Sequence, residues 1–145
     1  MKKILSIIVI TAIAMFGSMN ASSDNDPQHI IIHLSNYTND LHSATMALKI
    51  GHMLASHGEE VTMFLDLEGV RLVDKHQPVN LSWGSGKSIE ELYNQFIDAG
   101  GKVLVCPHCA KAAGIKELRK GATIASMEEK TMYKAFTSAD KILDY

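Results

Sequence analysis

A β-strand, an amphipathic helix and a second β-strand follow one another early in the chain, and this order constrains the fold more than any other feature. The strands are predicted at His29–Leu34 and at residues 61–65. Between them, over residues 40–57, apolar residues recur at helical spacing, with Asn39 as a candidate N-cap and Gly58 as the stop. Such a βαβ unit predicts parallel strands joined by a right-handed crossover.

The same alternation continues to the end of the chain. Three further strands are predicted at Lys102–Val105, at residues 122–125 and at residues 141–145. Residues 88–91 and 126–129 have the pattern of capping boxes, and each is expected to open an amphipathic helix. The inward face of the last helix is predicted to comprise Met132, Tyr133, Ala135 and Phe136. We therefore predict the α/β class, as a three-layer α/β/α sandwich around a mainly parallel sheet of about five strands.

No periodicity marks residues 68–87, where Val70 and Leu72 indicate at most the extension of a strand edge. Pro78 and two glycines favour a long loop, and long loops in compact domains often serve as lids or binding segments. Trp83 is therefore a candidate binding residue that covers a site. The alternative is a tryptophan that anchors its own loop or a subunit contact, and the sequence does not choose between the two.

Residues 1–21 have the pattern of a secretory signal peptide, with a basic start, an apolar run over residues 4–16 and then small and polar residues. The apolar run is short for a membrane span. We predict cleavage near residue 21, a flexible leader at residues 22–28 and one domain at residues 29–145. The mature protein is expected to be periplasmic or secreted, with no stable membrane span.

The charge balance argues against nucleic acid as a partner. The whole chain has a formal charge of −2, and removing residues 1–21 takes away Lys2 and Lys3 but no acidic residue, which leaves −4. No basic stripe is present to overrule that balance.

Both cysteines of the chain lie in one motif, Cys106-Pro107-His108-Cys109, directly after the predicted strand Lys102–Val105. Pro107 suits the first helical position, and Gly114 is a suitable stop. A thiol at the start of a helix faces unpaired backbone N–H groups, which favour the thiolate, the nucleophilic form. In an exported chain that is stabilised by disulfides, the cysteines would lie at distant positions along the sequence. Here both lie in one motif, which favours a chemical role over a structural one. We therefore predict that Cys106 is reactive.

Polar residues at the ends of the first two strands are expected near this motif, because ligands of parallel sheets gather at the carboxyl ends of the strands. They are His33, Ser35 and Asn36 after the first strand and Asp66 after the second. His33 is a candidate to stabilise the Cys106 thiolate or to accept its proton. The alternative is a strand-end histidine bonded to backbone. His108, when charged, would also stabilise the thiolate, unless it points to water.

Several uses of the two thiols compete. Dithiol–disulfide exchange fits the motif, but a thioredoxin fold has a cis-proline later in the chain, and no proline follows Pro107. Zinc or copper would suit the thiolates, but no second ligand pair with metal-like spacing accompanies them, so we predict no metal ligand. Buried structural cysteines are the remaining alternative.

The order of the elements and several segments resemble the DsrE/DsrF-like sulfur-relay family over residues 29–145. The segments are residues 100–106, the Cys-Pro-x-Cys motif with residues 113–115 after it, residues 121–125 and residues 141–143. The resemblance implies an α/β/α sandwich, assembly into trimers or hexamers, and a cysteine at this strand end that carries persulfide sulfur. In this chain that cysteine is Cys106.

These observations together predict an exported sulfur-relay-type protein that uses no cofactor. Cys106 is the expected persulfide carrier or thiol nucleophile, and Cys109 is the expected resolving thiol. The expected partners are sulfur donor and acceptor proteins or small thiols, together with further copies of the chain. Whether the protein is an enzyme of the sulfurtransferase kind stays open. The alternatives are a non-catalytic binding or assembly module with structural cysteines and a thiol–disulfide oxidoreductase.

Overall fold

The computed structural model describes residues 26–84, 86–126 and 130–145. The predicted signal peptide and most of the predicted leader lie outside the described residues, as does most of the predicted capping box at residues 126–129.

Five strands form one sheet, and every strand pair in it is parallel. The strands are β1 (His29–Leu34), β2 (Glu60–Leu65), β3 (Lys102–Val105), β4 (Ala122–Ile124) and β5 (Lys141–Asp144). Their order across the sheet is β4-β3-β2-β1-β5. The predicted class and the parallel sheet are confirmed.

Within the described residues, four α-helices and one 3-10 helix connect the strands. They are α1 (Leu41–Ser56), the 3-10 helix (Leu67–Val73), α2 (Ile89–Asp98), α3 (Pro107–Ala112) and α4 (Thr131–Thr137). The capping box of α2 is confirmed, since the Ser88 hydroxyl accepts from the Glu91 N–H and the Glu91 carboxylate accepts from the Ser88 N–H. The predicted cap of α1 is wrong by one residue: Asp40, not Asn39, accepts from the Ser43 N–H.

The helices cover both faces of the sheet. The chain steps in one direction from β1 to β4, so right-handed crossovers put α1, α2 and α3 on one face. On this face a Cβ at Gly51 of α1 would contact Phe96 of α2 and Ile32 of β1. Side chains alternate between the two faces along β1 and β2, so Phe64 lies on the other face. There the Phe136 ring of α4 meets the Phe64 ring edge-on, with ring centroids 5.0 Å apart. The three layers are those predicted.

Most of the hydrophobic core lies on the face that α1 and α2 cover. Its largest fully buried members include Tyr37, Phe96, Ile32, Leu34, Leu48, Met63, Leu65 and Ile89. Burial of side chains of this size contributes about 1.5–3 kcal/mol each to the free energy of folding. The α1/α2 face therefore carries most of the burial that stabilises the sheet.

The last helix is shorter and more exposed than predicted. It begins at Thr131, after Lys130 in the left-handed backbone conformation (φ 54°), and has no side-chain cap. None of its residues is fully buried, and Tyr133, expected to face inward, is 65% exposed. This helix has only seven residues, about two turns, and is too short to bury four side chains against the sheet. Its length explains the difference.

The predicted extension of a strand edge at Val70 and Leu72 is wrong. Both residues lie in the 3-10 helix and are fully buried in the core. The Gly69 N–H donates to the Ser35 carbonyl oxygen at 3.0 Å, so the 3-10 helix returns over the end of β1. A Cβ at Gly69 would collide with the carbonyl oxygen of Leu34. Glycine is therefore required for this close approach.

The irregular residues after the 3-10 helix are tied to the domain. The Arg119 guanidinium donates to the carbonyl oxygens of Leu72, Asp74 and Gln77 at 2.8–3.1 Å. The Tyr37 hydroxyl donates to the carbonyl oxygen of Pro78. The segment is therefore held to the body of the domain at least as far as Pro78.

Replacing Gly69 by alanine is expected to lower the free energy of unfolding by about 2–3 kcal/mol, because two backbone segments must move apart. Urea denaturation measures this loss. Gly86→Ala is the matched control, since a Cβ there meets only the Trp83 carbonyl oxygen at 3.4 Å and Lys49 Nζ at 4.0 Å, both at ordinary contact distance. Equal stability of the two variants would contradict the close approach at Gly69.

Candidate functional site

The predicted meeting of strand ends is confirmed. Asp66 directly follows β2, and Cys106 directly follows β3, with the Cys106 N–H donating to the Leu65 carbonyl oxygen at 2.9 Å. The Ser35 hydroxyl, just after β1, donates to the Asp66 carboxylate at 2.7 Å. A hydroxyl, a carboxylate and a thiol thus lie along the carboxyl edge of the three central strands.

Cys106 is the N-cap residue of α3. Its Sγ accepts a hydrogen bond from the Cys109 N–H at 3.4 Å, and Pro107 occupies the first turn as predicted. The side chain is half-buried, and both cysteines are free. Because α3 has only six residues, the single N–H of Cys109 matters more to the sulfur than the dipole of the helix. The Cys106 sulfur is therefore held in place by the backbone and remains accessible.

Cys109 is a thiol in a different environment. Burial raises the pKa of the Cys109 thiol, and its hydrogen bond to the Cys106 sulfur raises it further. A backbone hydrogen bond from Leu67 acts to lower this pKa, while the negative charges of Cys106 and Asp66 again raise it. At neutral pH the Cys109 thiol is therefore protonated.

Leu67, the residue that follows Asp66, has an unusual conformation. Its φ is +41°, in a region that residues with a side chain rarely adopt, and its side chain is 65% exposed. Such backbone strain costs on the order of 1–3 kcal/mol and persists where the surroundings enforce it. Here the tight turn from Asp66 into the 3-10 helix enforces it. No sequence signal marked Leu67.

His33 lies between two carboxylates. Its Nε2 is 3.0 Å from Asp66 Oδ1, and its Nδ1 is 2.7 Å from Asp144 Oδ1. The alternative of a histidine bonded to backbone is therefore wrong. His33 is linked to the thiols through Asp66, and a direct action on Cys106 stays a prediction.

The other two candidate residues lie at the surface. His108 is exposed on the first turn of α3, between the cysteines. The Trp83 ring stacks on His42 of α1, with ring centroids 3.9 Å apart and an angle of 11° between the planes. This contact fits the interpretation that Trp83 anchors its own loop. Its role as a lid stays a prediction.

A groove of about 440 Å³ separates the 3-10 helix from α3. Its lining residues are Leu67, Glu68, Arg71, Cys109, Ala112 and Ala113. The Arg71 Nε donates to Glu68 Oε2 at 2.6 Å. The thiol that lines this groove is that of Cys109. Sequence reasoning missed Arg71 and Glu68, because the segment was interpreted as a loop.

The described residues contain neither a candidate metal site nor a candidate membrane-spanning helix. No group of three or more histidine, cysteine, aspartate or glutamate side chains is arranged there to hold a metal ion. Among the helices of the same residues, none has both the length and the apolar content that crossing a membrane requires.

The raised pKa of Cys109 predicts that this thiol ionises only above its ordinary value of 9.0. The ¹³Cβ chemical shift of labelled cysteine, followed against pH, measures this. Asp66→Asn removes a negative charge and is expected to lower the midpoint for Cys109, whereas Glu117→Gln at an exposed site is the control and leaves it unchanged. A midpoint for Cys109 below 9 would contradict the assigned environment.

Comparison with known proteins agrees with this architecture. The sequence model of the DsrE/DsrF-like family matches residues 28–145. The crystal structure of the YchN protein from E. coli is similar with a TM-score of 0.64 and 22% sequence identity, over 81% of this chain and 99% of that one. MTH1491 from Methanobacterium thermoautotrophicum, described as a protein of unknown function, gives a TM-score of 0.61 and 10% identity over the same shares. No curated protein sequence matches.

Proposed function

The chain belongs to the DsrE/DsrF-like family, and on that premise we propose that it is a sulfur-relay protein in which Cys106 carries sulfane sulfur. The observation that supports this most is the place of the Cys106 sulfur at the end of β3. It is half-buried, bonded to a backbone N–H and next to a second thiol. Cys109 is the resolving thiol in this proposal.

The proposed chemistry starts with the Cys106 thiolate. It attacks the terminal sulfur of a donor persulfide, the S–S bond of the donor breaks, and the donor leaves as its thiolate. Cys106 then carries the extra sulfur as a persulfide. The Cys109 N–H donates to the Cys106 sulfur, which is the attacking atom, and so holds it in position.

Cys109 decides how long the persulfide lasts. A Cys109 thiolate that attacked the inner sulfur would form a Cys106–Cys109 disulfide and expel hydrosulfide. The raised pKa of the Cys109 thiol keeps it protonated at neutral pH, which slows that attack. The pair therefore stores sulfur at neutral pH and releases it more readily as the pH rises.

The setting of this activity is also part of the proposal. We place it in the periplasm or outside the cell, because residues 1–21 have the pattern of a signal peptide. Donor and acceptor proteins or small thiols are the proposed partners. A homo-oligomer, trimer or hexamer, is supported by apolar side chains left exposed at the surface, which include Ile124, Tyr133 and Ile142.

A thiol–disulfide oxidoreductase is the second candidate. The position of both thiols on the first turn of α3 favours it, because the Cys109 N–H lies only 3.4 Å from the Cys106 sulfur. Such an activity requires both cysteines, whereas loading of sulfur requires only Cys106. The two candidates therefore differ in their response to the loss of Cys109.

Mass spectrometry of the protein after exposure to sodium polysulfide is expected to show one added sulfur atom on Cys106. Cys106→Ser should reduce the adduct at least tenfold, because a hydroxyl does not replace the thiolate as nucleophile. Serine is also a good N-cap residue, so α3 should be retained. Cys109→Ser is the matched variant, and its adduct should form and last longer than that of the native protein.

The opposite pattern would contradict the proposal. If no sulfur is added to the native protein, sulfur transfer is excluded and a binding or assembly module with structural cysteines is favoured. If Cys106→Ser and Cys109→Ser lose the reaction equally, the oxidoreductase is favoured.

A further inference from the structure

The groove between the 3-10 helix and α3 is lined by groups to which the proposed relay assigns no role so far. Its walls are mainly aliphatic, from Leu67, Ala112 and Ala113. One thiol, that of Cys109, lines it. Its polar groups are a guanidinium and a carboxylate, joined by the 2.6 Å bond from Arg71 Nε to Glu68 Oε2. A reactive sulfur, an apolar wall and one charge of each sign are thus gathered in one open groove.

The ion pair retains binding capacity. Arg71 uses Nε for Glu68, so its two NH₂ groups remain for a carboxylate, which a guanidinium binds through two parallel bonds. Glu68 uses Oε2, so Oε1 remains for an ammonium group. Glu68 is half exposed, at 55% of its side chain, and is therefore reachable from solvent. A ligand with one carboxylate and one ammonium group would satisfy both.

We propose that this groove is the acceptor site of the relay, and that it binds a small thiol of the amino-acid type, with free cysteine as its simplest member. The proposal rests on the sulfur-relay function proposed above. The carboxylate of the ligand would bind Arg71, its ammonium group Glu68, and its methylene the aliphatic wall. Its sulfur would then face Cys109.

Sulfur reaches this acceptor in two exchanges. In the first, the Cys109 sulfur attacks the outer sulfur of the Cys106 persulfide, the S–S bond at Cys106 breaks, and the Cys109 proton passes to the Cys106 sulfur. The products are a Cys106 thiol and a Cys109 persulfide anion. In the second, the acceptor sulfur attacks the outer sulfur on Cys109, that S–S bond breaks, and the acceptor proton passes to Cys109. The acceptor leaves as its persulfide anion, and no oxidant or reductant is consumed.

One contact already present suits the first exchange. The Cys109 N–H donates to the Cys106 sulfur at 3.4 Å, so the atom that receives the proton lies beside Cys109. Attack on the outer sulfur retains the extra sulfur in the protein, whereas attack on the inner sulfur would expel it.

The test is single-turnover discharge of the loaded protein. The native chain is loaded with sodium polysulfide, desalted, and mixed with free cysteine, cysteamine, 3-mercaptopropionate or 2-mercaptoethanol. Mass spectrometry then follows loss of the added sulfur. Arg71→Gln is expected to slow discharge by cysteine and by 3-mercaptopropionate roughly tenfold, the size of a lost charge-assisted contact. It should leave 2-mercaptoethanol unchanged.

Glu68→Gln should show the complementary pattern, slowing cysteine and cysteamine and sparing 3-mercaptopropionate. Comparing each variant with the native protein for the same thiol cancels the intrinsic reactivity of that thiol. Lys111→Gln, at an exposed position of α3 outside the groove lining, is the control and should change none of the rates. Cys109→Ser should load normally and discharge slowly to all four thiols.

Two results would overturn the acceptor site and leave the relay intact. One is normal loading with discharge rates that are unchanged in Arg71→Gln and Glu68→Gln. The other is a normal discharge rate in Cys109→Ser. Failure of the native protein to load would overturn the relay and the acceptor site together. A discharge product that is hydrosulfide rather than the acceptor persulfide would also overturn the acceptor site, because it shows attack on the inner sulfur.

Discussion

The close approach of the 3-10 helix to the end of β1 is the constraint on which the site depends. The Gly69 N–H bonds to the Ser35 carbonyl oxygen, and no larger residue fits there. This contact returns the chain sharply after β2, so that Asp66 lies beside Ser35 and Leu67 beside Cys109. The same return forms one wall of the groove next to α3.

The proposed chemistry depends on a difference between the two thiols. Cys106 Sγ accepts a hydrogen bond from the Cys109 N–H and is half-buried at the end of β3. The pKa of the Cys109 thiol is raised, first of all by burial and in part by the charge of Asp66. Asp66 is in turn held by Ser35 and His33. In the proposed relay, Cys106 therefore acts first and Cys109 donates its proton.

Much of this could be predicted from the sequence, for identifiable reasons. The aliphatic runs of β1, β2 and β3 and the capping box at Ser88 are local signals, so the parallel sheet and α2 followed from them. The same holds for Cys106 at a strand end before Pro107. The 3-10 helix could not be predicted, because the spacing of its apolar residues also suits a strand edge. Only the contact of Gly69 with the Leu34 backbone, which is distant in the sequence, distinguishes the two. The pairing of His33 with Asp144 depends on β5 lying beside β1, which no local pattern encodes.

The central claim is that Cys106 is the nucleophile while Cys109 remains a proton donor. Alkylation of the native protein with less than one equivalent of iodoacetamide at pH 7, followed by peptide mass spectrometry, tests it most directly, because both thiols compete for one reagent in one molecule. The account predicts that the singly modified protein carries the label predominantly on Cys106. Equal labelling of the two cysteines, or preferential labelling of Cys109, would contradict it.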